Sequence, residues 1–246
     1  MSERLPHNPE SAPLTDIHIR SRLERTDDRR LIVTPIIDAG QIGSTTLDLR
    51  LGTRWQTMKT ARFREIDPAK LSSETEHLFR TSSEEFRVTS GQADALVLHP
   101  GELLLALSLE FLRLPRDLWG QLEGRSTWAR VGLQVHATAG MIDPGFSGYL
   151  TFELQNMGRI PLSLYPGLRV GQLAFFPLGD VKRPYHLKGQ ASYSAQYSVN
   201  TKFASQVEHR AMAEYRRREA LRPGYPGEDA NVNDGRTQRR ELAKEE

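Results

Sequence analysis

Residues 124–178 read GRSTWARVGLQVHATAGMIDPGFSGYLTFELQNMGRIPLSLYPGLRVGQLAFFPL, and this stretch decides the predicted fold. Clusters of Gly, Pro and Asn divide it into short apolar runs, at residues 133–135, 149–154, 160–164 and 170–176. Such runs at close, regular spacing are typical of antiparallel strands in a β-sandwich or barrel. The stretch therefore predicts an all-β core with only a few short helices.

The region before this stretch continues the β pattern after one helix. Residues 14–25 predict a short helix with Thr15 as its N-cap. Further strands are predicted at residues 31–37, 41–53, 96–98, 103–109 and 111–114. In the second of these, Leu47, Leu49 and Leu51 alternate with charged residues, which is the pattern of a half-buried strand. Residues 55–89 are polar and irregular, and we expect a peripheral loop there.

The ends of the chain differ from this core. Residues 1–13 are polar and rich in Pro, and we expect them to be flexible. Residues 14–206 form the predicted domain. Its last part, after residue 178, is too polar to build a core of its own, so we expect it to lie across another surface or to close over a ligand. Residues 207–246 predict a charged helix followed by a disordered tail.

Composition excludes several classes of function. The 33 Lys and Arg residues nearly balance the 31 Asp and Glu residues, so overall charge gives no indication of a nucleic-acid partner. The absence of Cys excludes disulfides, Cys-based zinc sites and a thiol nucleophile, and the seven His residues have no metal-ligand spacing. There is no apolar run of transmembrane length and no signal-peptide pattern, which predicts a cytoplasmic protein with no membrane partner.

Two features of the central stretch carry polar groups of chemical interest. Glu153 lies within an apolar run, where a buried carboxylate would be costly without partners; the alternative is that it points outward to solvent. Gly124-Arg125-Ser126 precedes a predicted helical turn at residues 127–130. A backbone N–H, a hydroxyl and a guanidinium together suit a phosphate, although a plain surface turn has the same sequence.

Four pieces of sequence resemble the dCTP deaminase family. They are Gly124-Arg125-Ser126-Thr127-Trp128-Ala129-Arg130 with Gly132-Leu133, then Thr138-Ala139-Gly140-Met141-Ile142-Asp143-Pro144-Gly145-Phe146 with Gly148, then Glu153 with Asn156 and Gly158, and finally Pro166-Gly167 with Gly171-Gln172-Leu173. Weaker agreement extends the resemblance to roughly residues 14–200. It implies the dUTPase-like fold, a distorted β-barrel or jelly roll that assembles as a homotrimer with active sites between subunits.

The resemblance implies hydrolytic deamination of dCTP to dUTP and ammonia, a step in the supply of dTTP precursors. Glu153 matches the general acid/base that acts on a water attacking C4 of cytosine, and no zinc takes part, unlike in the zinc deaminases. Asp143 matches the residue that meets the sugar 3′-OH, and in dUTPases also orients the attacking water. An Asp-Pro-Gly turn would account for Asp143 equally well, and both can hold together.

The resemblance also implies a set of nucleotide contacts. Arg125, Ser126 and Arg130 match triphosphate contacts, and the full predicted set is Arg125, Ser126, Thr127, Arg130, Thr138, Ala139, Asp143, Thr151, Phe152, Gln172, Tyr185, Tyr193 and Gln196. Phe146 matches an aromatic beside the pocket or is a plain core residue. The implied ligands are dCTP or dUTP with Mg²⁺, which the triphosphate itself holds rather than a protein metal site.

The sequence departs from the family at two places. Gly140 and Met141 replace the His-Arg of dedicated deaminases and match the members that also cleave the triphosphate to release dUMP. Ser192 replaces a Lys, which should weaken triphosphate binding by roughly 1–3 kcal/mol unless Lys188 or Lys202 compensates. Two alternatives therefore stay open: a plain dUTPase, and a non-catalytic nucleotide-sensing protein on the same fold.

Overall fold

Strands dominate the computed structural model, which describes residues 12–58, 83–87, 95–179, 181–187 and 217. The strands of these ranges are β1 (Ile32–Thr34), β2 (Thr46–Met58), β3 (Ser83–Arg87), β4 (Leu96–Leu98), β5 (Leu103–Arg113), β6 (Leu118–Gly124), β7 (Leu133–Gln134), β8 (Met141–Ile142), β9 (Ser147–Asn156), β10 (Leu162–Leu164) and β11 (Arg169–Pro177). The helices are α1 (Asp16–Glu24) and α2 (Ser126–Ala129), with 3-10 turns at Ala39–Gln41 and Tyr185–Leu187. The all-β prediction is confirmed.

One antiparallel sheet organises these strands, in the order β7-β9-β5-β2-β11-β6-β8. β1 pairs with β5, β3 pairs with β2, and β4 with β10 makes a separate two-stranded ribbon. The edge strands β7 and β8 follow one another in the chain, and the segment between them bonds to both sides. Val135 accepts from the Glu153 N–H at 3.0 Å, and Gly140 accepts from the Leu122 N–H at 2.8 Å. The sheet is therefore curled, with its two edges bridged.

The core lies on one face of this sheet because apolar side chains alternate along the strands. On β9, Leu150, Phe152 and Leu154 are buried while the residues between them are half-buried. Trp55, Phe152 and Phe175 have no exposed surface. Burial of each such side chain stabilises the fold by about 1.5–3 kcal/mol, which is what fixes the register of the strands.

The strand predicted at residues 41–53 is only partly as expected. Its leucines are buried as predicted, but the opposite face is not open to solvent, since Arg50 is also buried. Arg50 pairs there with the buried Glu110 of β5, with Nη1 3.1 Å from Oε1. Burial without a partner would be costly for either charge, so the pair explains how this face can be covered.

The loop predicted over residues 55–89 is wrong at both ends. β2 continues to Met58, and β3 pairs with it inside that range. Trp55 is fully buried and its indole N–H donates to the Gly52 carbonyl at 2.8 Å. Burial of this one aromatic side chain thus stabilises the end of β2, although the sequence there shows little apolar alternation. Residues 59–82 lie outside the described ranges.

The predicted N-terminal helix is confirmed as α1. Thr15 is its N-cap residue, but the Thr15 hydroxyl bonds to His18 Nδ1 at 2.7 Å rather than to a backbone N–H. Ile19 is buried, and Arg22 Nη2 binds Asp117 Oδ2 at 2.8 Å, so one apolar contact and one ion pair fasten the helix.

The chain divides into two units. The first comprises Met1–Phe63 and His77–Lys202 and contains all the strands given above. The second comprises Arg64–Glu76 and Phe203–Glu246, of which only Arg217 is described. The predicted flexible N-terminus, closing segment and tail fall largely outside the described ranges and stay predictions.

Candidate active site

Glu153 lies on β9, on the face opposite the core. Its Oε2 accepts a hydrogen bond from the Ala137 N–H at 3.1 Å, and the residue is half-buried. Phe152 and Leu154 do not surround its carboxylate, because neighbours along a strand point to opposite faces. Its neighbour across the ladder is Leu105 of β5, which is buried.

Thr151 shares this face with Glu153. It pairs across the ladder with the buried Leu107, and its hydroxyl is buried with no hydrogen-bond partner among the described residues. Buried polar atoms of this kind are commonly satisfied by water or by a ligand. Phe152, also predicted to contact nucleotide, has its side chain in the core, so only its backbone can meet a ligand.

The segment that holds Glu153 also carries two predicted contacts. Thr138 and Ala139 follow Ala137 directly, and both are exposed. The next residue, Gly140, is closely packed: a Cβ there would lie 2.9 Å from His136 Cε1 and 3.0 Å from the Leu122 carbonyl oxygen. Any side chain at position 140 therefore requires His136 to move. Met141 follows with 72% of its surface exposed.

Asp143 begins the turn that the sequence predicted. The Phe146 N–H donates to the Asp143 carbonyl at 3.1 Å, and Gly145 has a φ of +80°, which favours glycine. Tyr185 docks on this turn, with its N–H 2.8 Å from the Pro144 carbonyl and its ring 5.7 Å from that of Phe146. Asp143 itself is half-buried. Phe146 itself is part of the core.

The predicted phosphate loop follows β6. Its helical turn is confirmed as α2, and Ser126, Thr127 and Arg130 are exposed on it. Arg125 pairs through Nη1 with Asp48 Oδ2 of β2. The Trp128 indole N–H donates to the Arg169 carbonyl at 2.9 Å and so fastens the turn to β11.

Gln172 of β11 holds this loop in place through two hydrogen bonds. Its Nε2 donates to the Gly124 carbonyl at 3.1 Å, and its Oε1 accepts from the Thr46 hydroxyl at 3.2 Å. Both ends of the amide are thus engaged in holding the loop against β2. Sequence reasoning placed Gln172 at the nucleotide; within one chain it positions the residues that precede Arg125.

A chain of ion pairs runs beside the loop, and sequence reasoning missed it. It alternates three arginines with three carboxylates in the order Glu110, Arg50, Asp38, Arg169, Asp48 and Arg125. Burial raises the pKa of Glu110, and hydrogen bonds from Arg50 oppose that shift. The only signal in the sequence was the pair of charges between the leucines of β2.

The predicted site residues thus fall into three groups. Glu153 lies with Thr138, Ala139 and Thr151; Arg125 lies with Ser126, Thr127 and Gln172; Asp143 lies with Tyr185. Within the described part of one chain, no side-chain hydrogen bond or ion pair joins Glu153 to Arg125 or Ser126. Tyr193, Gln196 and Ser192 lie outside the described residues.

Neither a metal centre nor a membrane segment is found in the described ranges. Their His, Asp and Glu residues do not form a group of three or more that could hold a metal ion. Over the same residues, no helix combines the length and apolar character needed to cross a bilayer.

Comparisons with known proteins show which family this chain is similar to. Residues 14–178 match the family model described as dCTP deaminase-like. The chain is 42% identical over 173 residues to a dCTP deaminase of Pectobacterium atrosepticum, covering 69% of this chain and 88% of the relative. Among solved structures it is similar to the 2′-deoxycytidine 5′-triphosphate deaminase of Agrobacterium tumefaciens, with a TM-score of 0.51 and 21% identity, covering 70% of this chain and 49% of that one.

The last comparison supports the fold alone, because its identity is low. The native EIAV dUTPase is also similar, at a TM-score of 0.32 and 20% identity over 39% of this chain and 85% of that one. A likeness of this size carries no argument about function. The family model, by contrast, matches residues 14–178, which cover the whole described sheet and the predicted site residues up to Gln172. The chain belongs to the dCTP deaminase-like family.

Proposed function

We propose that this protein hydrolyses dCTP to dUTP and ammonia, with Glu153 as the general acid/base. The observation that carries the proposal is the placement of Glu153 on the outer face of β9, where the Ala137 N–H holds one carboxylate oxygen. One oxygen fixed by the backbone leaves the other to bind a water in a defined direction. The dCTP deaminase of Pectobacterium atrosepticum, 42% identical, supports the substrate class.

The proposed reaction needs a group that moves protons in both directions. Glu153 takes a proton from water as the water oxygen bonds to C4 of cytosine, which gives a tetrahedral intermediate. The carboxyl gives that proton to N3, takes a second proton from the C4 hydroxyl and passes it to the amino group, and the C4–N bond breaks to release ammonia. A positioned carboxylate of this kind contributes about 10²–10⁴-fold in rate.

The remaining predicted contacts divide between sugar and phosphate. Arg125, Ser126, Thr127 and Arg130 offer guanidinium and hydroxyl donors to the triphosphate, which suits its several negative charges. Asp143 accepts from the sugar 3′-OH. Mg²⁺ enters on the triphosphate oxygens and neutralises part of that charge.

The proposed assembly is a homotrimer with each site shared between subunits. In one chain Glu153 binds Ala137 and Arg125 binds Asp48, so the two groups have separate partners. A neighbouring subunit that brings its Arg125 towards Glu153 would complete the site. It would also cover the half-buried face of β9 and supply the dry surroundings that one chain lacks.

The product identity is a finer part of the proposal. Gly140 leaves no side chain between His136 and the Leu122 carbonyl, and Met141 is exposed beside it. We propose that the absence of a His-Arg pair at Gly140 and Met141 leaves room beside the bound nucleotide for a water, placed by Asp143, that attacks the α-phosphate. The enzyme would then release dUMP and diphosphate in addition to ammonia.

A product assay tests these statements together. Purified protein is incubated with Mg²⁺ and either dCTP or dUTP, and dUTP, dUMP and dCMP are separated by chromatography. Formation of dUMP or dUTP supports deamination, and dUTP as sole product rejects the dUMP-forming step. If dCTP stays intact while dUTP is cleaved to dUMP, the protein is a dUTPase; if neither reacts, the proposed enzyme activity is wrong.

A further inference from the structure

We propose that Arg169 is a second triphosphate-binding cation, held beside Arg125 by Asp48. The inference rests on the proposed function, since it adds a residue to that same nucleotide site. Arg169 lies at the start of β11, more than 40 residues from the predicted phosphate loop. It lies within the fourth piece of sequence that resembles the family, but it is not among the nucleotide contacts that the resemblance implies.

Two guanidinium groups meet at one oxygen atom. Arg125 Nη1 and Arg169 Nη1 both donate to Asp48 Oδ2, the second at 3.4 Å. The Asp48 side chain is 14% exposed, whereas those of Arg125 and Arg169 are 32% and 34% exposed. The carboxylate is therefore recessed beneath two more accessible cations, which keeps like charges side by side at the surface.

Arg169 is anchored on one side and loosely held on the other. Its Nη2 binds Asp38 Oδ2 at 2.6 Å, and Asp38 also pairs with Arg50. Within the described ranges, its Nη1 makes only long contacts, at 3.4 Å to Asp48 and 3.4 Å to the Gly40 carbonyl. A phosphate oxygen can thus replace the Nη1 contacts without breaking the pair with Asp38.

The backbone fixes the distance between the two arginines. The Arg125 N–H donates to the Val170 carbonyl at 3.2 Å, and the Trp128 indole donates to the Arg169 carbonyl at 2.9 Å. The phosphate loop and the start of β11 therefore form one unit. Two guanidinium groups held in this way can bind two adjacent phosphates of one triphosphate, which a single Arg cannot span.

The test compares Arg169→Gln with Arg20→Gln. Arg20 donates to the Ala39 carbonyl at 3.4 Å and pairs with no carboxylate among the described residues. Each variant therefore loses one positive charge and one long contact to a backbone carbonyl, and only Arg169→Gln also loses ion pairs, with Asp38 and Asp48. We expect the KM for dCTP to rise roughly 10- to 100-fold in Arg169→Gln, with kcat and the melting temperature close to wild type. Arg20→Gln should keep the wild-type KM.

A direct binding measurement separates this proposal from the proposed function. Inorganic triphosphate is titrated into wild type and both variants by calorimetry, which needs no turnover of dCTP. Weaker binding in Arg169→Gln alone supports the proposal even if dCTP is not the substrate. Equal affinities or equal KM values in the two variants, or no binding by wild type, overturn it.

If Arg169→Gln does not fold, the more conservative variant Arg169→Lys provides the test. Arg169→Lys keeps the charge but lacks the planar fork, so its affinity for inorganic triphosphate should fall less than tenfold but more than that of Arg20→Lys. Wild-type affinity in Arg169→Lys would overturn the proposal in that case.

Discussion

Glu110 shows how a single buried carboxyl is tolerated in this fold. It has no exposed surface, and Arg50 and Gln41 both donate to its Oε1, at 3.1 Å and 3.0 Å. The Arg50 backbone N–H donates to Oε2 at 2.9 Å. The residue forms the buried end of the ion-pair chain that reaches Arg125, so its charge state bears on stability.

The pKa of Glu110 predicts how stability depends on pH. Burial raises this pKa, so the folded state binds the proton more tightly than the unfolded state. The stability that Glu110 contributes is then fully present below its ordinary pKa and is lost as the pH rises through the higher folded value. The free energy of unfolding of wild type minus that of Glu110→Gln should fall as the pH rises above about 4.

Urea unfolding of the two proteins at several pH values measures this difference. Since both proteins share every other titrating group, the subtraction isolates Glu110. A difference that grows with rising pH would mean that the ion pair with Arg50 outweighs burial.

Single residues also show what could be predicted from sequence. Glu153 and the Asp143 turn follow from local motifs. The Ala137 contact of Glu153 and the Asp48 contacts of Arg125 and Arg169 could not be predicted, because they join segments that are distant in sequence and leave no local pattern. Phe152 was predicted to contact nucleotide, but its side chain lies in the core, because neighbours along a strand point to opposite faces.

At the scale of elements, the turn after β9 depends on one buried amide. Asn156 Nδ2 donates to the carbonyls of Leu98 and Ile160, each at 2.9 Å, and Oδ1 accepts from the Gly158 N–H at 2.9 Å. These bonds join β9 to the ribbon of β4 and β10. They also hold Gly158 against Gly132, where a Cβ on Gly132 would lie 2.4 Å from the Gly158 nitrogen.

Asn156→Ala should therefore destabilise the protein by about 3 kcal/mol, since it leaves buried groups without partners. Urea unfolding of the variant checks the value. Gln155→Ala, next to it on the outward face of β9, is the control and should change stability by less than about 0.5 kcal/mol. Similar losses in both variants would show that the amide bonds are not the cause.

The strands differ in how well sequence predicts them. Those with uninterrupted apolar alternation, such as β9 and β11, were predicted with small errors at their ends. β6 was missed because Gly120 and Gly124 interrupt its alternation, and β8 was missed because it has only two residues. Both strands form because neighbouring strands pair with them, and not because of a pattern in their own residues.

For the whole molecule, the curled all-β sheet could be predicted because turn spacing is a property of the entire chain. The assembly of subunits could not be predicted from residue patterns, since an interface between subunits leaves no periodic signal in the sequence. The homotrimer with shared sites stays a proposal, and its geometry makes a quantitative prediction about mixed subunits.

Two inactive variants should restore activity when combined. Arg125→Ala and Glu153→Gln subunits are unfolded together and refolded in equal amounts. If Arg125 and Glu153 of one site come from different subunits, about one quarter of the sites will hold both native residues, and about a quarter of wild-type deamination should return. A mixture that stays as inactive as either variant alone would mean that each site is built within one chain.

The claim on which the account rests is that the Glu153 carboxylate moves the protons in deamination. The most direct measurement is the kcat for dCTP of Glu153→Gln, with dCTP affinity measured by calorimetry and Glu24→Gln, an exposed carboxylate on α1, as the control. We predict a kcat at least about 100-fold below wild type with affinity changed only a few-fold, because the amide keeps the shape but cannot take the proton. A Glu153→Gln enzyme that deaminates dCTP at the wild-type rate would contradict the account.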